Sequence, residues 1–203
     1  MRTTAIVLAG GASRRMGRDK ALLALGGRCL LQRAADEVSA VSDEVIIAAR
    51  GRRLNVSGRN LRWVPDFPGA EGPLAGFGSG LAAASHDTAF LVACDMPFIS
   101  GALLRKLADS LGECDAIVPL CDGVPQPLHA VYHRRSLPTV QSLLRLGERS
   151  FRALLPRLQV KYVPEERCLE TDPSGLSWFN LNRPEEYSVA QQIVGPHGIS
   201  TAA

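Results

Sequence analysis

The stretch "TTAIVLAGGASRRMGRDK" (residues 3–20) decides how the rest of the chain is read. Its first part, Thr3 to Ala9, is a short β-branched and apolar run, the pattern of a strand covered on both faces. The run breaks at Gly10-Gly11. Successive backbone N–H groups at such a break form a nest for an anion. Open α/β sheets bind their ligands at the carboxyl ends of the strands, which is where this break falls. Arg14, Arg15, Arg18 and Lys20 follow, and their charge suits phosphate oxygens. A solvated surface loop is the plainer reading, and the position directly after a buried first strand argues against it. Counting Arg2, the first twenty residues carry five cations against Asp19. That local excess is larger than the whole-chain charge of +3, so the positive charge belongs to a site rather than to a surface for nucleic acid.

Working outward, the same kind of run recurs: "DEVIIAA" (43–49), "NLRWVP" (60–65), "TAFLVACD" (88–95) and "DAIVPL" (115–120). Amphipathic stretches lie between them. In "LLQRAADEVSAV" (30–41), Leu31, Ala34, Val38 and Val41 share one face. "PLAGFGSGLAAAS" (73–85) opens with Pro73, a good first helical residue, and "SGALLRKLADSLG" (100–112) has a Ser cap and a terminal Gly112. This alternation predicts an α/β fold with a mainly parallel sheet and crossover helices on both faces. Further on, 126–133 and 159–166 read as strands, and 134–147 and 150–158 as helices. Residues 177–193 read as a short strand and turn leading into a helix near Pro184, with a disordered tail over 194–203. No repeat or linker divides the chain, so a single domain is expected over 1–193.

Two familiar phosphate motifs fail. The P-loop needs Gly-Lys-Ser/Thr, and Gly17 is followed by Arg18. "GSGLAA" (78–83) has nearly the dinucleotide spacing, but no strand precedes it, so its glycines serve close helix packing or ligand approach. Asp95 ends the run "AFLVA" and should emerge at the same edge as the glycine loop. A carboxylate there suits Mg²⁺, which is held by one or two carboxylates plus substrate phosphates; a helix cap or turn aspartate is the alternative. Asp66 ends another strand at that edge, either facing a ligand or shaping the turn before Pro68. His129 and His133 stand four apart on a strand, where they need not converge. No activated Ser or Cys nucleophile is evident. That pattern fits phosphoryl or nucleotidyl transfer, in which positioning and charge neutralisation do most of the catalysis.

The composition, 46% hydrophobic and 21% charged over 203 residues, suffices for a sizeable core. Five cysteines without CxxC spacing predict reduced thiols and a cytoplasmic protein. No apolar run approaches the ~18 residues of a membrane span, and the opening run has no signal-peptide form.

Taken together, "LAGGASRRMGRDKALLALGG" resembles the signature loop of the nucleotidyltransferases. "GPLAGF" (72–77), "ACDMPF" (93–98), "QPLHAVY" (126–132) and "FNLNRPEEY" (179–187) follow in order and are similar to the MobA family of molybdenum cofactor guanylyltransferases. The resemblance covers roughly residues 4 to 190. It implies a Rossmann-like fold of the nucleotide-diphospho-sugar transferase type, with a nucleotide part over about 1–112 and a pterin part over about 113–193. It implies transfer of GMP from GTP to the phosphate of molybdopterin, with Mg²⁺ as cofactor. Leu8, Ala9, Gly10 and Gly11 would then meet the nucleotide, Lys20 would neutralise phosphate charge with Arg15 beside it, Asp66 would contact the nucleotide and Asp95 would hold the metal. Asn180 and Asn182, alternating across a short strand, are the pterin candidates. Cofactor-assembly proteins and acceptor molybdoenzymes are the implied partners, with no nucleic acid or membrane, and a monomer or weak homo-oligomer is expected. One departure stands out. Family members often carry asparagine after the second strand, where this chain has Ala48 and Arg50. A cytidylyl- or sugar nucleotidyltransferase on the same fold therefore stays open, as does a non-enzymatic nucleotide-binding module. A dinucleotide-dependent oxidoreductase using "GSGLAA" is the third alternative.

Overall fold

Thr3–Leu8 forms the central strand β1, with every residue buried. The computed structural model describes residues 1–10, 19–49 and 53–195. After β1, two very short strands, β2 (Ala24–Leu25) and β3 (Arg28–Cys29), make a hairpin. Its turn uses Gly26 and Gly27, both in the left-handed region that glycine adopts without a steric penalty. Next come α1 (Leu30–Ser39), β4 (Glu44–Ala48), β5 (Leu61–Val64), α2 (Pro73–Ala83), β6 (Thr88–Ala93) and α3 (Gly101–Asp109). The second half holds β7 (Ala116–Cys121), β8 (Val124–Pro125), β9 (His129–His133), α4 (Leu137–Arg145), α5 (Phe151–Leu154), β10 (Val160–Val163), α6 (Glu165–Leu169) and α7 (Pro184–Val194).

The main sheet runs β10-β7-β9-β6-β1-β4-β5, with β8 paired to β7. β1 is parallel to both β4 and β6, so their carboxyl ends share one edge. β9 is antiparallel to its neighbours β6 and β7, and the sheet is otherwise mainly parallel, as the alternation of runs predicts. Strand alternation divides the core. Ala5 and Val7 face α1 and α3, packing with Leu31, Val38 and Leu104. Ile6 and Leu8 face α2 and α4, packing with Leu74, Phe77, Leu81 and Val140. Continuously apolar strands are therefore required by helices on both faces. Among the described residues, no helix is long and apolar enough to cross a membrane.

Several expected boundaries move. The run 159–166 is a strand only to Val163, because Pro164 starts α6 with Glu165 and Glu166 in its first turn, where acidic residues are favoured. The helix expected over 134–147 begins with a 3-10 turn at Arg134–Ser136. The short strand expected from 177 is instead a 3-10 turn, Leu176–Trp178, followed by irregular chain up to α7. That helix runs to Val194, which is buried against Leu25, Leu30 and Leu181, so the first residue of the expected tail belongs to the fold. Residues 196–203 lie outside the described residues.

Two buried polar groups make stability depend on pH. His129 on β9 is fully buried, and its Nε2 accepts a hydrogen bond from the Ser100 amide at 3.3 Å. Burial pushes its pKa down to about 4. The unfolded chain therefore takes up this proton first, and stability falls as the pH drops from about 6.5 towards about 4. Burial alone would raise the pKa of Glu44, but bonds from the Ser85 amide, the Thr4 hydroxyl and Arg62 outweigh it and hold the carboxyl below its usual value. Its contribution is present above about 4.5 and is lost as the pH falls further. We expect urea midpoints to decline between pH 6.5 and 5 in the wild type and to be flatter across that window in His129→Gln. An unchanged slope in that variant would remove His129 as the cause.

Candidate active site

The end of β1 is held from both sides. The Ala9 amide donates to the Ala48 carbonyl at 2.9 Å, and the Cys94 amide donates to the Leu8 carbonyl at 3.0 Å. These bonds bring Gly10 and Asp95 to one carboxyl edge. The chain re-enters at Asp19, whose carboxylate accepts from the Ala21 amide at 3.1 Å and caps a 3-10 turn over Lys20–Leu22. That turn directs the Lys20 ammonium to Asp95 Oδ2 at 3.1 Å and to Asn182 Oδ1 at 2.9 Å. The Lys20 and Asp95 side chains are 19% and 25% exposed, so the pair is sheltered yet open to a ligand. A cleft at this point is lined by Leu8, Ala9, Gly10, Lys20, Pro73 and Asp95, with Leu128 and Cys94 among the other residues of its wall. Burial first, and then the charges of Asp95 and Asp19, raise the pKa of Cys94. It stays a protonated thiol and is no nucleophile.

Asp66 follows β5 and packs against α2 at Gly76; it is not among the residues that line the cleft. A Cβ built on Gly76 would lie 3.5 Å from Asp66 Oδ1, 3.5 Å from the Ala48 methyl and 3.1 Å from Leu8 Cδ2. The first turns of α2 thus approach the ends of β1 and β4 closely because position 76 has no side chain. Ala48 is buried within β4, paired with Leu8 and Val64, and it presents only a methyl group. Gly11, Arg15 and Arg50 lie outside the described residues.

Asn180 and Asn182 have different tasks. The Asn180 side chain donates to the Trp178 carbonyl at 2.8 Å and closes its own turn. Asn182 reaches Lys20. Strand alternation had suggested that only one could face a given side. The two do separate, but through a 3-10 turn and a helix cap rather than a strand. His129 and His133 do not converge, because His129 binds Ser100 and His133 Nδ1 accepts from the Arg135 amide. No cluster of three or more His, Cys, Asp or Glu able to hold a metal exists among the described residues. A cation here would thus rest on Asp95 together with ligand phosphates and water, a donor set that suits Mg²⁺. Sequence reasoning did not single out Pro73 and Leu128 as cleft residues, although the motifs "GPLAG" and "PLHAVY" carry them. It also passed over Glu186, which receives the Asn182 and Arg183 amides.

A cleft at the carboxyl edge of a Rossmann-like sheet, lined by a lysine, an aspartate and the backbone at Gly10, with no activated nucleophile among the described residues, is the site of a nucleotidyltransferase. Residues 5–162 match the model of the MobA-like NTP transferase domain, and the chain belongs to that family. It is 35% identical to the molybdenum cofactor guanylyltransferase of Desulfosudis oleivorans over 97% of this chain and 98% of that protein. It is 36% identical to a probable molybdenum cofactor guanylyltransferase of Pelotomaculum thermopropionicum, over 92% and 90% of the two chains. Among solved structures, molybdopterin-guanine dinucleotide biosynthesis protein A from Archaeoglobus fulgidus superposes with a TM-score of 0.81 at 26% identity, covering 94% of this chain and 97% of its own. A Thermus thermophilus cytidylyltransferase shares the fold at 17% identity and a TM-score of 0.72, over 95% and 98% of the chains.

Proposed function

We propose that this protein transfers GMP from GTP to the terminal phosphate of molybdopterin carrying molybdenum, forming the guanine dinucleotide cofactor and pyrophosphate. The observation that carries this reading is the Lys20–Asp95 pair beside Gly10, set in a chain that matches guanylyltransferases over nearly its whole length. In an in-line displacement, an acceptor phosphate oxygen forms a bond to the α-phosphorus as the bond to the β-phosphate oxygen breaks. The nucleophile is already ionised, so the protein has to offset repulsion between two polyanions. Lys20, the backbone at Leu8, Ala9, Gly10 and Gly11, and Arg15 supply that positive potential. Asp66 orients the nucleotide from the α2 side. Asp95 is the residue that would hold Mg²⁺, which when bound neutralises phosphate charge and supports the leaving pyrophosphate. The acceptor lies towards the C-terminal segment that carries Asn180 and Asn182. The reaction takes place in the cytoplasm, in keeping with five unpaired thiols, where cofactor-assembly proteins deliver molybdopterin and molybdoenzymes receive the product. The chain acts as a monomer or weak homo-oligomer.

The buried methyl of Ala48, one of the two candidate positions at which the family resemblance implies an asparagine, favours a second reading as a cytidylyltransferase of the same cofactor. Incubation with molybdopterin and GTP, CTP or ATP separates the two. We expect GTP to be used at least tenfold faster, by pyrophosphate release and dinucleotide formation. Preference for CTP would establish the second reading, and turnover with none of the three would point to a binding module.

A further inference from the structure

Among the described residues, Lys20 is held by groups of different character, Asp95 and Asn182. Asp95 is a carboxylate, and any cation it takes up competes directly with Lys20 for it. Asn182 offers a neutral amide oxygen at 2.9 Å, which restrains the ammonium without cancelling its charge. Lysine is a flexible four-carbon stem bearing a point charge, so it needs such a restraint to stay aimed into a cleft. Asn182 is itself unusually well fixed for an exposed residue. The preceding Leu181 is fully buried against Leu25 and Leu30, and its amide donates to the Asp95 carbonyl at 2.9 Å. The Asn182 amide donates to Glu186 Oε2, and the Arg183 amide donates to the same oxygen at 2.8 Å, forming the capping box of α7. The chain thus returns 162 residues after Lys20 to build a support for one ammonium group.

We propose that Asn182 is a positioning residue for Lys20, kept in register by the Glu186 cap, and that it does not contact the pterin. The kinetic side of this proposal rests on the reading of Lys20 as the phosphate-facing cation; the structural side does not. The chain's other two lysines, Lys106 and Lys161, are exposed and serve as internal references. In the ligand-free protein, acetylation of each lysine by acetic anhydride is followed by peptide mass spectrometry. We expect Lys20 to react more slowly than either reference. Asn182→Ala should raise its rate severalfold, and Asn182→Asp, which keeps an acceptor oxygen, should restore protection. Glu186→Ala should move Lys20 in the same direction as Asn182→Ala, and Glu186→Gln should revert it. With GTP and molybdopterin, Asn182→Ala should lower kcat by about tenfold, less than the roughly hundredfold cost of a full ångström's misplacement because Asp95 still holds Lys20, while the KM for molybdopterin stays within about twofold. Wild-type Lys20 reactivity in Asn182→Ala, together with a large rise in that KM at unchanged kcat, would overturn the proposal in favour of direct pterin contact. If Asn182→Ala melts below assay temperature, the Asp variant and the Glu186 pair decide the matter by the same labelling. If the wild type transfers no GMP, the proposed reaction fails, whereas Lys20 protection still supports or refutes the Asn182 support.

Discussion

Lys20→Ala is expected to lower kcat by about 10²–10³, the cost of removing one preorganised group that stabilises transition-state charge, about 3–4 kcal/mol. Asp95→Ala should fall in the same range. The pair meets at 3.1 Å within one cleft, and both groups keep about a fifth to a quarter of their side-chain surface in contact with solvent. Water can therefore compensate whichever partner is left behind, and the melting temperature should move little in either variant. Loss of turnover without loss of stability separates a catalytic pair from a structural ion pair. If the two act as a unit, the double variant should be scarcely slower than either single one, because groups that work together are not additive. Pyrophosphate release and thermal melts on the three variants check this. Near-normal turnover in both single variants would remove Lys20 and Asp95 from the chemistry.

What the sequence disclosed about this site depends on how local each signal is. β1 and the glycine break are legible because a strand buried on both faces needs an unbroken apolar run, and Gly10 interrupts it at the edge. Asp95 is legible for the same reason at the end of β6, two residues beyond Ala93. The contact of Lys20 with Asn182 is not legible, because nothing in either neighbourhood records a partner 162 residues away. Alternation across a strand is a sound rule, but it did not apply to Asn180 and Asn182, since Pro184 and the Glu186 cap set that segment as a helix approach. The β2–β3 hairpin is too short to show periodicity, and only the Gly26-Gly27 pair hints at it. The direction of β9 could not be read from periodicity either. Asp122 and Gly123, both at positive φ, turn β7 back into β8, a signal that an alternating strand-and-helix reading passes over.

Gly80→Ala is expected to destabilise the protein by about 2 kcal/mol, although alanine is the better helix former. The segment "GSGLAA", which failed as a dinucleotide fingerprint, lies in α2 where that helix presses on β1. A Cβ on Gly80 would lie 2.5 Å from Ile6 Cγ2, with Cγ1 and Cδ1 at 3.1 and 3.2 Å. Ile6 is fully buried and stiff at its branch point, so it cannot swing aside. Overpacking of this kind costs about 1–3 kcal/mol or more, against a gain of about 1 kcal/mol in helix propensity. Gly78→Ala provides the contrast. Its new methyl would meet Leu144 Cδ1 at 2.9 Å, the far end of a flexible side chain, and Val140 Cγ1 at 3.2 Å, so its net effect should be under about 1 kcal/mol. The partner is testable as well. Ile6→Val keeps the offending methyl and should not relieve Gly80→Ala, whereas Ile6→Ala removes it, and the double variant should then be more stable than the sum of the single losses. Because α2 brings Pro73 to the cleft and Gly76 against Asp66, a helix pushed off β1 should also raise the KM for GTP. Denaturant midpoints for the cycle, with KM measured on the folded variants, test both links, and additive losses would show that Gly80 is not held to glycine by Ile6.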